Sequence, residues 1–386
     1  MKVKLSDAFD LQMGKTPPRN DRECWGDGHK WISISDIGNV GKYIDITKEE
    51  ITDIGVSKSG IKVVPKGTVI MSFKLSIGKT AITAEDMYTN EAIMAFINKG
   101  KYEIDTDYLY HMCKGIDWFE GTNKAVLGLT LNKATMSEKE IEIPSMEVQS
   151  HVVLVLDKMY ELIALRKEQL TKLDQLVKSR FIELFGDPVE NDFRWPTKPL
   201  DGICKTIVDC PHSTPSYTNE NTGFMCIRTS IVKKNRILWD DIEYIPEHEY
   251  YKRIQRKRPE KGDIVYTREG AILGIAAMID RDCNVALGQR SMLLSPDTTK
   301  CLPQFLCVAM NFETFLRKAL GGISGSASPH INVGDIKAFD IILPPLELQK
   351  QFAAFVEQTD KSKLAIQQSL EKLELLKKSL MQEYFG

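Results

Sequence analysis

Apolar positions follow two rhythms along the chain. Over residues 143–186, Leu156, Ile163, Leu170, Val177 and Leu184 recur every seven residues, and Val152, Val155, Met159 and Leu173 widen the stripe. Residues 343–386 repeat the pattern with Leu348, Phe352, Val356, Ile366, Leu370, Leu373, Leu376 and Leu380. Charged side chains fill the other faces. Each stretch opens on proline (Pro144; Pro344-Pro345), closes on Phe-Gly, and has no Gly or Pro between. Proline suits a first helical turn and glycine a C-cap, so both read as amphipathic helices with coiled-coil spacing. About 40 residues at 1.5 Å each span roughly 60 Å. The remainder carries short β-type runs punctuated by Gly, Pro, Asn and Asp: 30–37, 41–46, 66–73 and 91–97, then 223–232, 262–270, 271–279 and 289–295. Short helices are predicted at 104–118 and 303–319.

The two helical stretches align without a gap at an offset of 200. Pro144, Glu147, Gln149, Leu170, Lys172, Leu173, Leu176, Lys178, Ser179, Glu183, Phe185 and Gly186 each meet an identical residue. Upstream, Asn132 faces Asn332 and Ile141 faces Ile341. Earlier the offset falls to 195: Leu5 faces Leu200, Ile32 faces Ile227, Ser35 faces Ser230, and Lys66-Gly67 faces Lys261-Gly262. The chain is one plan used twice. The expected layout is a globular domain at 1–143, a helix at 144–186, a second globular domain at 187–343 and a second helix at 344–386. The expected fold class is α+β: two β-rich domains separated by two long antiparallel helices that cover each other's stripes, with a pseudo-two-fold internal repeat.

Composition narrows the class. In 386 residues, 51 Lys+Arg stand against 53 Asp+Glu, a formal net charge of −2. Taken alone, this argues against a nucleic-acid binder. No apolar run approaches the roughly 20 residues of a membrane-spanning helix, and the opening MKVKLSDAFDLQMGK has no signal-peptide core, so a cytoplasmic address is expected. Eight cysteines show no CxxC spacing, and six histidines form no HExxH motif, so no metal site is expected. Gly14-Lys15-Thr16 and Gly78-Lys79-Thr80 resemble the end of a phosphate-binding loop. The glycine required five residues earlier is replaced by Phe9 and Phe73. No GxGxxG or GxSxG is present, and no paired-carboxylate nuclease spacing stands out, so no catalytic residue is assigned.

Order and wording together resemble a known family. The layout of unit, helix, unit, helix is similar to the specificity subunit of type I restriction-modification systems. So are "GKTPPRN…W…WISISDI" (14–37), "CPHSTPSY…GFMCIRTSIV" (210–232), "KGDIVYTREGAILGIAAM" (261–278) and "LPPLELQKQF" (343–352). The resemblance covers essentially the whole chain. It implies a non-catalytic subunit in which each globular domain reads one half of a bipartite, asymmetric double-stranded DNA site. The helix pair would set the gap and dock two methyltransferase subunits. Restriction/translocase subunits would complete the endonuclease. S-adenosylmethionine, ATP and magnesium would then belong to the partners, with no cofactor in this chain.

Base edges are read by Arg, Lys, Asn, Gln, Ser or Thr on loops. In the first domain the candidates are Lys15, Thr16, Arg19, Asn20, Ser33, Ser35, Lys74, Ser76, Lys79, Asn123, Lys124, Thr130 and Asn132. In the second they are His212, Ser213, Thr214, Arg228, Thr229, Ser230, Arg268, Gln289, Arg290, Ser326, Ser328, His330 and Asn332. For each, the competing role is turn capping or simple solvation. The basic run Lys252, Arg253, Arg256, Lys257, Arg258 and Lys261 is either a phosphate-binding face or a solvated turn. Two other functions stay open at this point: a single-chain DNA-acting enzyme such as a nuclease, and a coiled-coil adaptor.

Overall fold

A computed structural model describes residues 1–38, 41–74, 76–119, 131–321 and 329–386. The chain divides into two compact units. The first comprises Met1–Lys167 with Gln368–Gly386, and the second Glu168–Gln367. The long helices run Met146–Phe185 and Leu346–Phe385, so each unit holds part of both.

The first unit is built on a five-stranded sheet. Its order is Phe9–Met13, Ile93–Asn98, Val69–Ser72, Thr80–Thr83, Tyr43–Ile44. A second sheet places Trp25–Ile32 between Glu49–Ile51 and Tyr88–Thr89, pairing parallel to the latter. The strand Lys2–Lys4 pairs with Glu140–Glu142. The second unit repeats this plan with a four-stranded main sheet. Cys204–Asp209, Ser291–Pro296, Ile264–Thr267 and Ala276–Met278 form its main sheet in that order. Met225–Ile227 pairs parallel to Val285–Leu287, and Thr197–Pro199 pairs with Asp340–Ile342. The structure is therefore the expected α+β duplication.

Some boundaries differ from the sequence pattern. The run 30–37 is strand only to Ile32, because Ser33 and Asp36 form a reciprocal capping box that starts the helix Ile34–Ile37. The run 223–232 breaks at Arg228 into a 3₁₀ turn over Thr229–Ile231. The predicted helix at 303–319 is two helices, Pro303–Met310 and Glu313–Leu320. The strands Phe9–Met13 and Cys204–Asp209 were not among the expected runs, yet each lies at an edge of its main sheet.

Helix periodicity translates into burial along much of each stripe, although Leu376 stays exposed. Val152, Leu156 and Ile163 of the heptad stripe are buried in the first unit, and Val177 in the second. In the second unit, Phe181, Phe185 and Phe352 meet with ring centroids 5.0–5.5 Å apart, and Lys363 bridges Asp174 at 2.7 Å. In the first, Lys167 bridges Glu374 at 3.0 Å and the Lys377 ammonium sits 5.2 Å from the Tyr160 ring centre. The pairing is antiparallel within each unit.

One polar residue pins each long helix to its domain. Gln149 is fully buried; its Oε1 accepts from the Asp105 amide (2.8 Å), and its Nε2 donates to the carbonyls of Glu103 and Pro144 (3.0 Å each). Gln349, also fully buried, accepts from the Leu302 amide (2.8 Å) and donates to Lys300 (3.3 Å) and Pro344 (2.9 Å). The first unit adds an ionic fastening. Asp157 on the helix takes Lys42 Nζ at 2.8 Å and His111 Nε2 at 2.6 Å. Lys42 also reaches Asp107 at 3.0 Å.

Candidate nucleic-acid interface

Sheet register decides which loops meet. In the first unit Met13 faces Met94 and Ser72 faces Ile93. The ends of two strands and the start of the third therefore coincide. The Gly14 and Lys15 amides donate to the Ile93 and Thr89 carbonyls, the Asn90 amide to Ile32, and the Phe73 amide to Ala92. Residues 14–20, 33–35, 74 and 76–79 are thus gathered at one end of the main sheet, around 89–92. Gly14 is required there: an added Cβ would lie 2.0 Å from the Thr89 carbonyl oxygen.

The 14–24 loop is held by aromatic and ionic contacts. Trp25 and Trp31 pack edge to face at 5.1 Å, and their indoles donate to the Pro18 and Lys15 carbonyls at 3.0 Å. The Arg19 guanidinium lies 4.0 Å from the Trp25 ring centre and pairs with Glu49. Lys15 Nζ caps the helix Asp53–Ser59 through the Ser59 and Gly60 carbonyls, both at 3.1 Å. The Thr16 hydroxyl donates to Glu91. Burial pushes the Glu91 carboxyl up, but that bond, its own backbone amide and nearby Lys74 and Arg19 outweigh it and hold the group below its ordinary value. Asn20, Lys74, Ser76 and Lys79 are exposed, and among the described residues Lys74 and Lys79 make no ion pair. Ser33 Oγ is engaged by Asp36 (2.7 Å) and Ser35 (2.8 Å). Asn132 is the N-cap of Lys133–Glu138, accepting from the Thr135 amide.

The second unit gathers its candidates in the same place. Asp209 faces Met292, and Thr267 faces Ser291. The Arg268 amide donates to the Arg290 carbonyl and the Gly288 amide to Ile227, and the backbone of Glu269 pairs antiparallel with that of His330. Thr214 Oγ1 and Gln289 Oε1 lie 3.3 Å apart, where the first unit has Thr16 and Glu91. Asp209 is the hub. Arg268, 8% exposed, grips it bidentately at 2.9 and 3.0 Å, while His212 reaches it at 3.1 Å and remains exposed. Arg228 pairs with Glu243 beside the Tyr217 ring, and that pairing raises its basicity further. Thr229 and Ser230 lie in the 3₁₀ turn that follows. Arg290 is exposed, with a positive φ of 70°. Asn332 precedes the helix Val333–Lys337, with its amide on Asp335 at 3.0 Å.

The basic run is dispersed rather than a single face. Arg253 is buried, binding Glu249 (2.7 Å) and the Leu287 (3.2 Å) and Ser213 (2.6 Å) carbonyls. Arg256 binds the Asp209 carbonyl at 3.2 Å, Lys257 pairs with Glu260, and Arg258 donates to Asn284. Arg253 and Arg256 thus buttress the 210–214 loop. Asn123, Lys124, Thr130, Ser326 and Ser328 lie outside the described residues. Sequence reasoning passed over Glu91 and Tyr217 at these sheet ends. The signal for Glu91 was position alone: it flanks the strand Ile93–Asn98 at the gathered loops.

No cluster of three or more His, Cys, Asp or Glu able to hold a metal occurs among the described residues. No helix among them is long and apolar enough to cross a membrane.

Comparison with known proteins bears on the chain as a whole. The family model described as "Type I restriction modification DNA specificity domain" matches residues 1–175 and again 194–376. The specificity subunit of the type I restriction enzyme MjaIX of Methanocaldococcus jannaschii is 24% identical over 374 residues, covering 92% of this chain and 85% of that protein. The EcoprrI specificity subunit of Escherichia coli is 20% identical over 384 residues, covering 93% and 87%. A solved chain from work on complex assembly and conformational transition of the type I system superposes with a TM-score of 0.62 at 17% identity, covering 100% of this chain and 97% of that one. The S subunit of M. genitalium gives 0.55 at 13%, covering 100% and 96%. Two matched domains, the duplicated fold and relatives matched over most of their length agree: the chain belongs to the type I restriction-modification DNA specificity family.

Proposed function

We propose that each globular unit reads one half of a bipartite, asymmetric DNA site, and that the two long helices set the spacing between the halves. The chain is the specificity component of its system, the non-catalytic part that recognises DNA. The observation that carries the finer reading is the gathering of polar loops at the same end of two topologically equivalent sheets. Arg19, Lys74 and Lys79 stand there in one unit, and His212, Arg228, Gln289 and Arg290 in the other. These are groups that reach base edges and phosphates. Two linked readers bind with one combined affinity that depends on matching the spacing, because the second contact is intramolecular.

The helices also suit protein partners. Leu154, Leu165, Leu176, Leu364 and Leu375 stay exposed along them. We assign these faces to docking two methyltransferase subunits, which bring S-adenosylmethionine for adenine methylation. Restriction subunits would bring ATP and magnesium chemistry. The complex would work in the cytoplasm, at the chromosome.

Methylation sequencing of a host expressing the chain with its methyltransferase tests this. One new split motif is expected. Exchanging residues 1–143 for a relative's domain should change one half of it only. No new split motif with an active partner overturns the reading. Cleavage of plasmid by the purified chain with magnesium alone would instead favour a nuclease.

A further inference from the structure

A cavity of about 630 Å³ opens in the first unit, where the globular domain meets the helix Met146–Phe185. Three pieces of chain build its wall. The helix Thr106–Gly115 turns Tyr110 and Lys114 to one face, because they stand four residues apart. The long helix presents Asp157 and Tyr160, three residues apart. The loops before the strands Tyr43–Ile44 and Thr80–Thr83 add Lys42 and Lys79. Gly38, Gly41, Gly78 and Ala164 also line the space, and their small bulk leaves it open.

The wall carries more cations than acids. Asp157 is already taken by Lys42 at 2.8 Å and His111 at 2.6 Å, and Lys42 also holds Asp107 at 3.0 Å. Burial keeps the His111 ring below its ordinary pKa, so it adds no charge near neutral pH. Lys114, Lys377 and Lys79 remain, and among the described residues none of the three has an ion pair. Lys114 is half-buried. It donates to the Tyr110 hydroxyl at 3.0 Å and lies 4.7 and 4.5 Å from the Tyr110 and Tyr160 ring centres. Lys377, on the helix Leu346–Phe385, lies 5.2 Å from the same Tyr160 ring. Lys79 Nζ stands beside Gly38, 2.9 Å from where a Cβ would be. Rings attract cations but carry no net charge. Burial, with Lys377 and Lys42 nearby, pushes the Lys114 ammonium down to about 8. Like charges are crowded here without a counter-ion.

We infer that this cavity holds a small anion carrying more than one phosphate, such as pyrophosphate or a nucleoside diphosphate. Lys114 and Lys377 hold it at Tyr160, with Lys79 on the loop side. Ammonium groups bind phosphate oxygens as point charges. A single carboxylate would leave most of the unmatched charge in place, whereas linked phosphates answer it. The volume lies inside the range of roughly 300–1,000 Å³ typical of small-molecule sites. The concave, half-buried setting of Lys114 and Lys377 favours such a ligand over a duplex strand, which meets exposed groups. A bound anion would tie the loop, the short helix and both long helices of the first unit together. The inference goes beyond DNA reading, since neither Lys114 nor Lys377 belongs to the gathered loops.

Titration calorimetry of the full chain with inorganic pyrophosphate, at fixed ionic strength, tests it. Saturable one-to-one binding is expected. Lys114→Gln or Lys377→Gln should weaken it at least about tenfold, while Lys114→Arg, which keeps the charge, should lose less. Thermal melting keeps loss of the site apart from loss of the fold: pyrophosphate should raise the melting temperature of the parent chain and of neither glutamine variant. Adenosine diphosphate separates two forms of the same ligand. Tighter binding than pyrophosphate means that a base is held as well; equal binding means that the phosphates suffice. No saturation, or affinity unchanged in both glutamine variants, overturns the inference. Displacement of pyrophosphate by duplex DNA of arbitrary sequence would make the cavity a DNA-phosphate contact and overturn it too.

Discussion

Arg268 and Arg290 look alike in the sequence and act differently. Arg268 is 8% exposed and holds Asp209 with two parallel hydrogen bonds. Removing it leaves a mostly buried carboxylate facing only His212. Breaking such a pair costs about 3–5 kcal/mol, so Arg268→Ala should destabilise the second unit by that order, read by urea unfolding. Arg290 is exposed with φ at 70°, a backbone region that glycine tolerates best. Arg290→Gly should change stability by no more than about 0.5–1 kcal/mol, and in the stabilising direction. The same variant should slow methylation of the host motif by the assembled complex. Equal stability losses in the two variants would contradict this division. The side a guanidinium faces was not legible from sequence, because it depends on Asp209, 59 positions away and one strand across. Asn132 likewise read as a polar loop residue, and only its bond to the Thr135 amide identifies it as a cap.

At the scale of elements, the long helices were the most legible part. Proline starts, Phe-Gly ends and a seven-residue stripe give bounds within a few residues of those observed. The strands were less legible, because capping chemistry at Ser33 and Arg228 cuts apolar runs that look continuous. The repeat also marked Gln149 and Gln349 as identical without giving a reason. The reason is that each ties the start of a long helix to the loop that opens an earlier helix of its domain, Thr106–Gly115 or Pro303–Met310, with three hydrogen bonds in a fully buried site. Gln349→Leu would leave the Leu302 amide and two carbonyls without partners, at about 1–3 kcal/mol for each buried group left unsatisfied. Unfolding followed by hydrogen exchange should show the loss in residues 300–306 and 344–352, with the first unit's amides unchanged. Protection retained at Leu302 would mean the glutamine is packing filler and not a clamp.

Over the whole molecule, the net charge of −2 stops being evidence against DNA once the sites are in view. Acidic partners stand beside several candidate readers: Glu49 at Arg19, Glu91 at Thr16, Glu243 at Arg228 and Glu269 at Arg290. Under the proposed function, much of the phosphate neutralisation that drives affinity would fall to the partner subunits. What this chain contributes under the proposed function is spacing, and spacing is set by helix length. Seven residues added to each long helix, after Lys167 and after Gln367, preserve the heptad stripe and so the pairing. They lengthen the pair by about 10 Å, or about three base pairs at 3.4 Å each. The methylated motif should keep both half-sites and gain about three base pairs in its spacer. Five residues added at the same points would turn the stripe away from its partner helix and should lower stability instead. A heptad variant that folds and methylates, yet keeps the original spacer, would show that something other than the helices measures the distance.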